Sequence, residues 1–100
     1  MINNSIENGT FFDQVTKKIY RKINYYNAIS CLNYAYLMIS YDFFFSPTQP
    51  YDIKEFNCKI LSVKINGNER EVQTLGYFKD ANVYINKTIT VSDDGRIINN

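Results

Sequence analysis

The 100-residue chain has no histidine and no tryptophan, only two cysteines and two prolines, and four glycines. Each shortage excludes something. Without imidazole there is no histidine base and no histidine metal ligand. Cys31 and Cys58 stand far apart with no ligand motif around them, so zinc clusters and thiol–imidazole pairs fall away as well. Two such unpatterned thiols are expected to be reduced, each a small buried hydrophobe, and this points to a cytoplasmic protein. Four glycines provide no phosphate-cradling loop. The chain also lacks an excess of one charge. Eleven basic against ten acidic residues leave a net +1, too little for non-specific binding to nucleic acid or anionic lipid. No basic, then apolar, leader opens the sequence. The apolar run from Ala28 to Phe45 is interrupted by Asn33 and Asp42, which argues against a membrane span.

What the chain does have is nine Tyr, seven Phe, 13 Asn and 13 Ile. All four residue types are read from AT-rich codons, so a low-GC genome accounts for the bias. The abundance of Tyr and Asn also suits a recognition surface.

Ser46-Pro47-Thr48-Gln49-Pro50 divides the sequence. Before it, Phe12, Val15, Ile19, Ile23 and Tyr26 recur at helical spacing, and the stripe continues through Ile29, Leu32, Tyr36 and Ile39. The spacing predicts that this stripe faces the core, with Thr10 as the helix cap and Gln14, Lys17, Lys18, Arg21 and Lys22 on the opposite side. Residues 36–45 read as the end of a helix or as the start of a strand. After the prolines the pattern alternates. Asn66-Gly67-Asn68 predicts a hairpin with Lys64 opposite Glu71 and Val63 opposite Val72. The apolar phase changes between Ile60 and Leu61. A long twisted hairpin that exchanges faces is the expectation, with a bulge near Ser62 or Gln73 as the alternative. Val83 to Val91 reads as a strand, and Arg96-Ile97-Ile98 as a short final edge strand. The whole is an α+β chain: one or two N-terminal helices packed on a three- to four-stranded antiparallel β-meander, a two-layer sandwich. One domain fills residues 1–100, with a flexible start at 1–9, a helical half at 10–45, a Pro-containing loop at 46–52 and the meander at 53–100.

Little here points to catalysis. Asp93-Asp94-Gly95 lacks the later ligands of a calcium loop and reads as a turn. Glu69 and Glu71 flank Arg70 on what reads as an exposed hairpin tip. Asp42, among aromatics, is either a desolvated acid or a turn side chain. No catalytic, cofactor-binding or metal-binding residue is assigned, and the expected class is non-enzymatic.

The sharpest local signal is Lys17, Lys18, Arg21 and Lys22 interleaved with Tyr20 and Tyr25. The second half balances seven basic against seven acidic residues and offers no further basic element, so an acidic protein surface is favoured over a nucleic-acid duplex. The sequence reading is therefore a small protein that works by protein–protein contact, as an inhibitor such as a toxin-neutralising immunity protein, with those six residues at the interface. A nucleic-acid binder using the same basic helix is one alternative. A small-ligand module with a pocket near Asp42, Tyr36 and Tyr77 is another. A homodimer through the edge of the last strand is a further option.

Overall fold

Nothing in the first 46 residues forces the backbone out of a helix. There is no proline before Pro47, and a lone interior glycine such as Gly9 costs only about 1 kcal/mol. In the computed structural model, which describes residues 2–98, α1 accordingly runs without a break from Ile2 to Tyr41. The helix thus starts well before the expected boundary, and Thr10 lies inside it rather than capping it. Met1 of the expected flexible start and Asn99-Asn100 at the end of the expected meander lie outside the described residues. At the other end, Tyr36 to Tyr41 is helix, and the chain turns at once. The Asp42 carboxylate accepts the Phe44 N–H at 3.0 Å, and the Asp42 carbonyl accepts the Phe45 N–H at 2.9 Å. Asp42 is exposed, the turn side chain of the two readings.

Four strands follow, β1 Tyr51–Ile53, β2 Cys58–Asn66, β3 Glu69–Gly76 and β4 Val83–Thr90, hydrogen-bonded in chain order as an antiparallel meander. The chain is α+β, one helix on one face of a four-stranded sheet. The strand that completes the sheet comes before the hairpin rather than at the end: Tyr51 pairs with Ile60 and Ile53 with Cys58. The expected final strand reduces to a bridge between Val91 and Ile97, backed by the Ile98 N–H on the Thr90 carbonyl at 2.8 Å. Gly95 makes that return, with φ at +89° in a region that side chains avoid.

The hairpin has the expected register at its tip, with Val63 opposite Val72, Lys64 opposite Glu71 and Gly67-Asn68 as its loop. The Lys64–Glu71 ion pair, at 3.9 Å and solvent-exposed, contributes little. Further down, the twisted face-exchanging hairpin is not what forms. Ile60 lies opposite Thr74 and Ser62 opposite Gln73, so Leu61 is an extra residue in a bulge. That insertion keeps Cys58, Ile60 and Val63 all on the helix side, where each is buried. On β3 the inward residues are Arg70, Val72 and Thr74, all fully buried. Sequence alternation misplaces Arg70. It sits inside, over the Phe43 ring at 4.3 Å, and donates to the carbonyls of Phe43 at 2.9 Å, Gly67 at 2.7 Å and Glu69 at 2.8 Å. These bonds tie the turn after α1 to the hairpin tip and satisfy the buried guanidinium without a carboxylate.

The core lies between the middle of α1 and the sheet. Ala28, Cys31, Leu32, Ala35 and Ile39 of the helix meet Ile53, Cys58, Ile60, Val63, Val72, Ile89 and Val91. Small residues at positions 28, 31 and 35 let the helix come close. The two cysteines do not remain thiols. Cys31 and Cys58, both fully buried, form a disulfide that joins α1 to β2 across 27 positions of sequence. Their burial follows from their apolar settings. Their pairing does not, because no spacing rule links a mid-helix cysteine to a strand.

Candidate functional site

The helix phase decides which residues are free to act. Asn24, Ala28, Cys31, Ala35 and Ile39 face the sheet. Steps of three and four residues place Phe12, Val15, Ile19, Ile23 and Tyr26 on the opposite side. The first part of the stripe expected to be core is therefore the outer face, whereas its continuation through Leu32 and Ile39 is buried as expected. Phe12 is 62% exposed, Ile19 51% and Tyr26 58%. The reason is the length of the helix. Forty residues span about 60 Å, twice the reach of a short strand meander, and the molecule is 65 Å along its longest axis and 24 Å along the next. Burial against the sheet begins near Tyr20, whose ring meets Phe78 edge-on at 5.6 Å. Residues 11–19 are exposed or half-buried and extend past the end of the sheet.

Two of the four basic residues border this stripe, and two face the other way. Lys17 and Arg21 share the phase of Asn24 but lie beyond or at the end of the sheet, and Lys18 and Lys22 line one side of the stripe. All four are exposed. Tyr25, 47% exposed, stacks edge-on against Tyr26 at 5.3 Å. Tyr20 is half-buried and committed to Phe78, so it braces the base of the projecting segment rather than standing free. Phe12, Ile19, Ile23 and Tyr26 are the exposed residues that their spacing assigns to the core. Their apolar stripe was visible, and which element covers it was not.

Asn24 holds the helix to the sheet at this point. Fully buried, it donates to the carbonyls of Phe78 at 2.8 Å and Ala81 at 2.7 Å, and accepts the Phe78 N–H at 2.7 Å. Asn24 thus fixes the point from which the exposed segment at 11–19 projects.

The residues expected around a ligand pocket do not come together as a site. Asp42 is in the exposed turn. Tyr36 packs against the core, and burial pushes its hydroxyl pKa up. Tyr77 belongs to a cleft with Asp52 and Lys59, which pair on the sheet face away from the helix. Its hydroxyl donates to Asp52 Oδ1 at 2.6 Å, which, with burial and the nearby charge, pushes its pKa up to about 12. A raised tyrosine pKa adds stability that is present below about pH 10 and is lost as pH rises through about 12. Absorbance titration of the phenolates should therefore show a late component near pH 12 that Tyr77→Phe removes. An unchanged titration curve in that variant would refute the assignment.

Among the described residues, no group of three His, Cys, Asp or Glu side chains is placed to hold a metal ion, and no helix is long and apolar enough to cross a membrane. No family model, no curated protein and no solved structure matches this chain.

Proposed function

We propose that this chain is a non-enzymatic binding protein that presents the free half of α1 to a groove on a protein partner. The observation that supports the reading is the exposed stripe of Phe12, Ile19, Ile23 and Tyr26 on the side of the helix away from its own sheet. An apolar face of that size on a helix is the usual anchor set for helix-in-groove recognition. Lys18 and Lys22 alongside it favour an acidic rim on the partner, Lys17 and Arg21 add positive charge from the other side of the same segment, and Tyr25 adds a ring at the margin. The sheet lies on the opposite side of the helix and does not obstruct docking. The activity that asks least else of such a scaffold is occlusion of the partner's own site, as an inhibitor of the toxin-neutralising type would work. Phosphate tracking would use the cations but leave the phenylalanine and isoleucine stripe idle, so nucleic acid is the weaker reading.

The place of action in this proposal changes with the cysteines. Reduced thiols pointed to the cytoplasm. A buried cystine favours a compartment in which disulfides persist.

Two variants separate the contributions of the interface. With a partner captured from the native host, Lys18→Glu with Arg21→Glu should slow association at least about tenfold and flatten its salt dependence. Ile19→Ser with Tyr26→Ser should instead raise the dissociation rate, by a comparable factor or more. Wild-type kinetics from both variants would remove the free helix from the interface.

A further inference from the structure

A second, separate feature lies at the β1 edge of the sheet. A cavity of about 470 Å³ opens between α1, β1 and the 3₁₀ turn Lys54–Phe56. Its walls are Tyr34 from the helix, Tyr51 and Ile53 from the strand, and Phe56 from the turn, with Asp52 and Glu55 completing the lining. The Tyr34 and Tyr51 rings stand 5.9 Å apart and 34° from parallel, a splayed pair, and Phe45 backs Tyr51 at 6.4 Å. Tyr51 is 39% exposed and Phe56 46%, so these rings hold open surface that the core does not need.

The charge in this cavity is one-sided. Two acidic residues, Asp52 and Glu55, and no basic residue belong to the lining. Lys54, adjacent in sequence, lines the neighbouring cleft on the other face. Asp52 is already engaged by the Tyr77 hydroxyl, which leaves Glu55 as the uncommitted anion. Its charge reaches the Tyr34 hydroxyl: that group's pKa is raised chiefly by hydrogen bonding to Tyr51, then by the charge of Tyr51 and by burial, with Glu55 adding to the effect. Aromatic faces carry negative quadrupole potential, and several rings around one point attract an organic cation more strongly than they attract a neutral group of the same shape.

We propose that this cavity binds a small organic cation, an ammonium or guanidinium group, against the aromatic wall formed by Tyr34, Tyr51 and Phe56, with Glu55 as its counter-charge. The site is independent of the free half of α1, and a failure of either leaves the other standing. The cation can be a free molecule or the side chain of a partner, since the recognising chemistry is the same.

The test is an NMR titration of the intact, oxidised chain with choline chloride, with its uncharged isostere 3,3-dimethyl-1-butanol, and with short peptides carrying trimethyllysine or arginine. Choline should shift the ring resonances of Tyr34, Tyr51 and Phe56 saturably, and the isostere should bind at least about tenfold more weakly. Glu55→Gln should weaken choline about threefold, and Tyr51→Ala about tenfold. Glu55 sits on an exposed turn, so its variant keeps the test valid if Tyr51→Ala unfolds. A peptide that binds more tightly than choline identifies a partner's side chain as the ligand, and the reverse order identifies a free amine; either supports the site. Equal binding of the uncharged isostere, no saturable shift with any of the cations, or full binding by Glu55→Gln and Tyr51→Ala together would overturn it.

Discussion

Alanine at position 76 is expected to cost the fold more than about 4 kcal/mol, the range reserved for core clashes and broken networks. Gly76 ends β3 directly beneath the helix. A Cβ built there would lie 2.1 Å from the Asn24 carbonyl oxygen, 2.8 Å from its carbon and 2.9 Å from the Asn24 Cα. All three are backbone atoms, so no side chain can swing aside, and the helix itself would have to lift. Lifting it would stretch the three hydrogen bonds that Asn24 makes to Phe78 and Ala81. It would also pull on the bond from the Thr74 hydroxyl to the Ala28 carbonyl, 2.9 Å in the intact molecule. Urea denaturation followed by circular dichroism should show the loss, and the melting temperature should fall by roughly 15 °C or more. Gly67→Ala is the internal comparison. Nothing lies within 4 Å of its would-be Cβ, and only its φ of +61° is at stake, for about 1 kcal/mol. Equal destabilisation by the two changes would refute the close-approach argument.

Loss of the Cys31–Cys58 bond should be nearly as costly. Cross-linking residues 27 apart removes loop-closure freedom from the unfolded chain worth about 3.5 kcal/mol in the chain-entropy picture. Cys31→Ser with Cys58→Ser should lower the melting temperature by about 15 °C, and reductant in the melting buffer should lower the wild type by a similar amount. Both cysteines are fully buried, so reduction of the native state should wait on opening of the helix–sheet contact and be slow at room temperature. If reduced and oxidised chains melt within about 2 °C of one another, the bond does not hold this fold together.

How far the sequence could be read depended on the range of the interactions involved. The tip register was legible because it is set locally: Asn66-Gly67-Asn68 chooses the turn, and Lys64–Glu71 and Val63–Val72 follow from it. The class of fold was legible for the same reason, since periodicity changes at the two prolines. The bulge at Leu61 was not, because a slipped phase in one strand looks the same whether the partner slips too or an extra residue is absorbed. Arg70 reads as surface in any hydropathy pattern, and only the Phe43, Gly67 and Glu69 carbonyls converging on it explain its burial. Fully buried Asn24 hides in the same way, since Phe78 and Ala81, which hold it, are more than fifty positions away.

The stripe on α1 is the most instructive case. Its later part, through Leu32 and Ile39, faces the sheet as its spacing suggests, and its earlier part does not. Two apolar lanes run along this helix: one through Phe12, Ile19 and Tyr26, the other through Ala28, Cys31, Ala35 and Ile39. The eye follows the bulkier lane. The sheet takes the lane of small residues, because only there can backbone approach backbone as closely as it does at Gly76 and Asn24. The basic cluster could be located from sequence, but whether it borders a bare apolar face or a covered one required the packing.

A projecting segment of this kind has a thermodynamic signature. Residues 11–19 are exposed or half-buried, so their coil-to-helix balance rests largely on intrinsic propensity and on being continued from the buried part of the same helix. Any molecule that covers the segment strips water from its apolar side chains and tightens its winding in one event. Association would then carry a more negative heat capacity and entropy than rigid docking of the same area, and temperature, rather than concentration alone, would tune how much of the molecule is engaged.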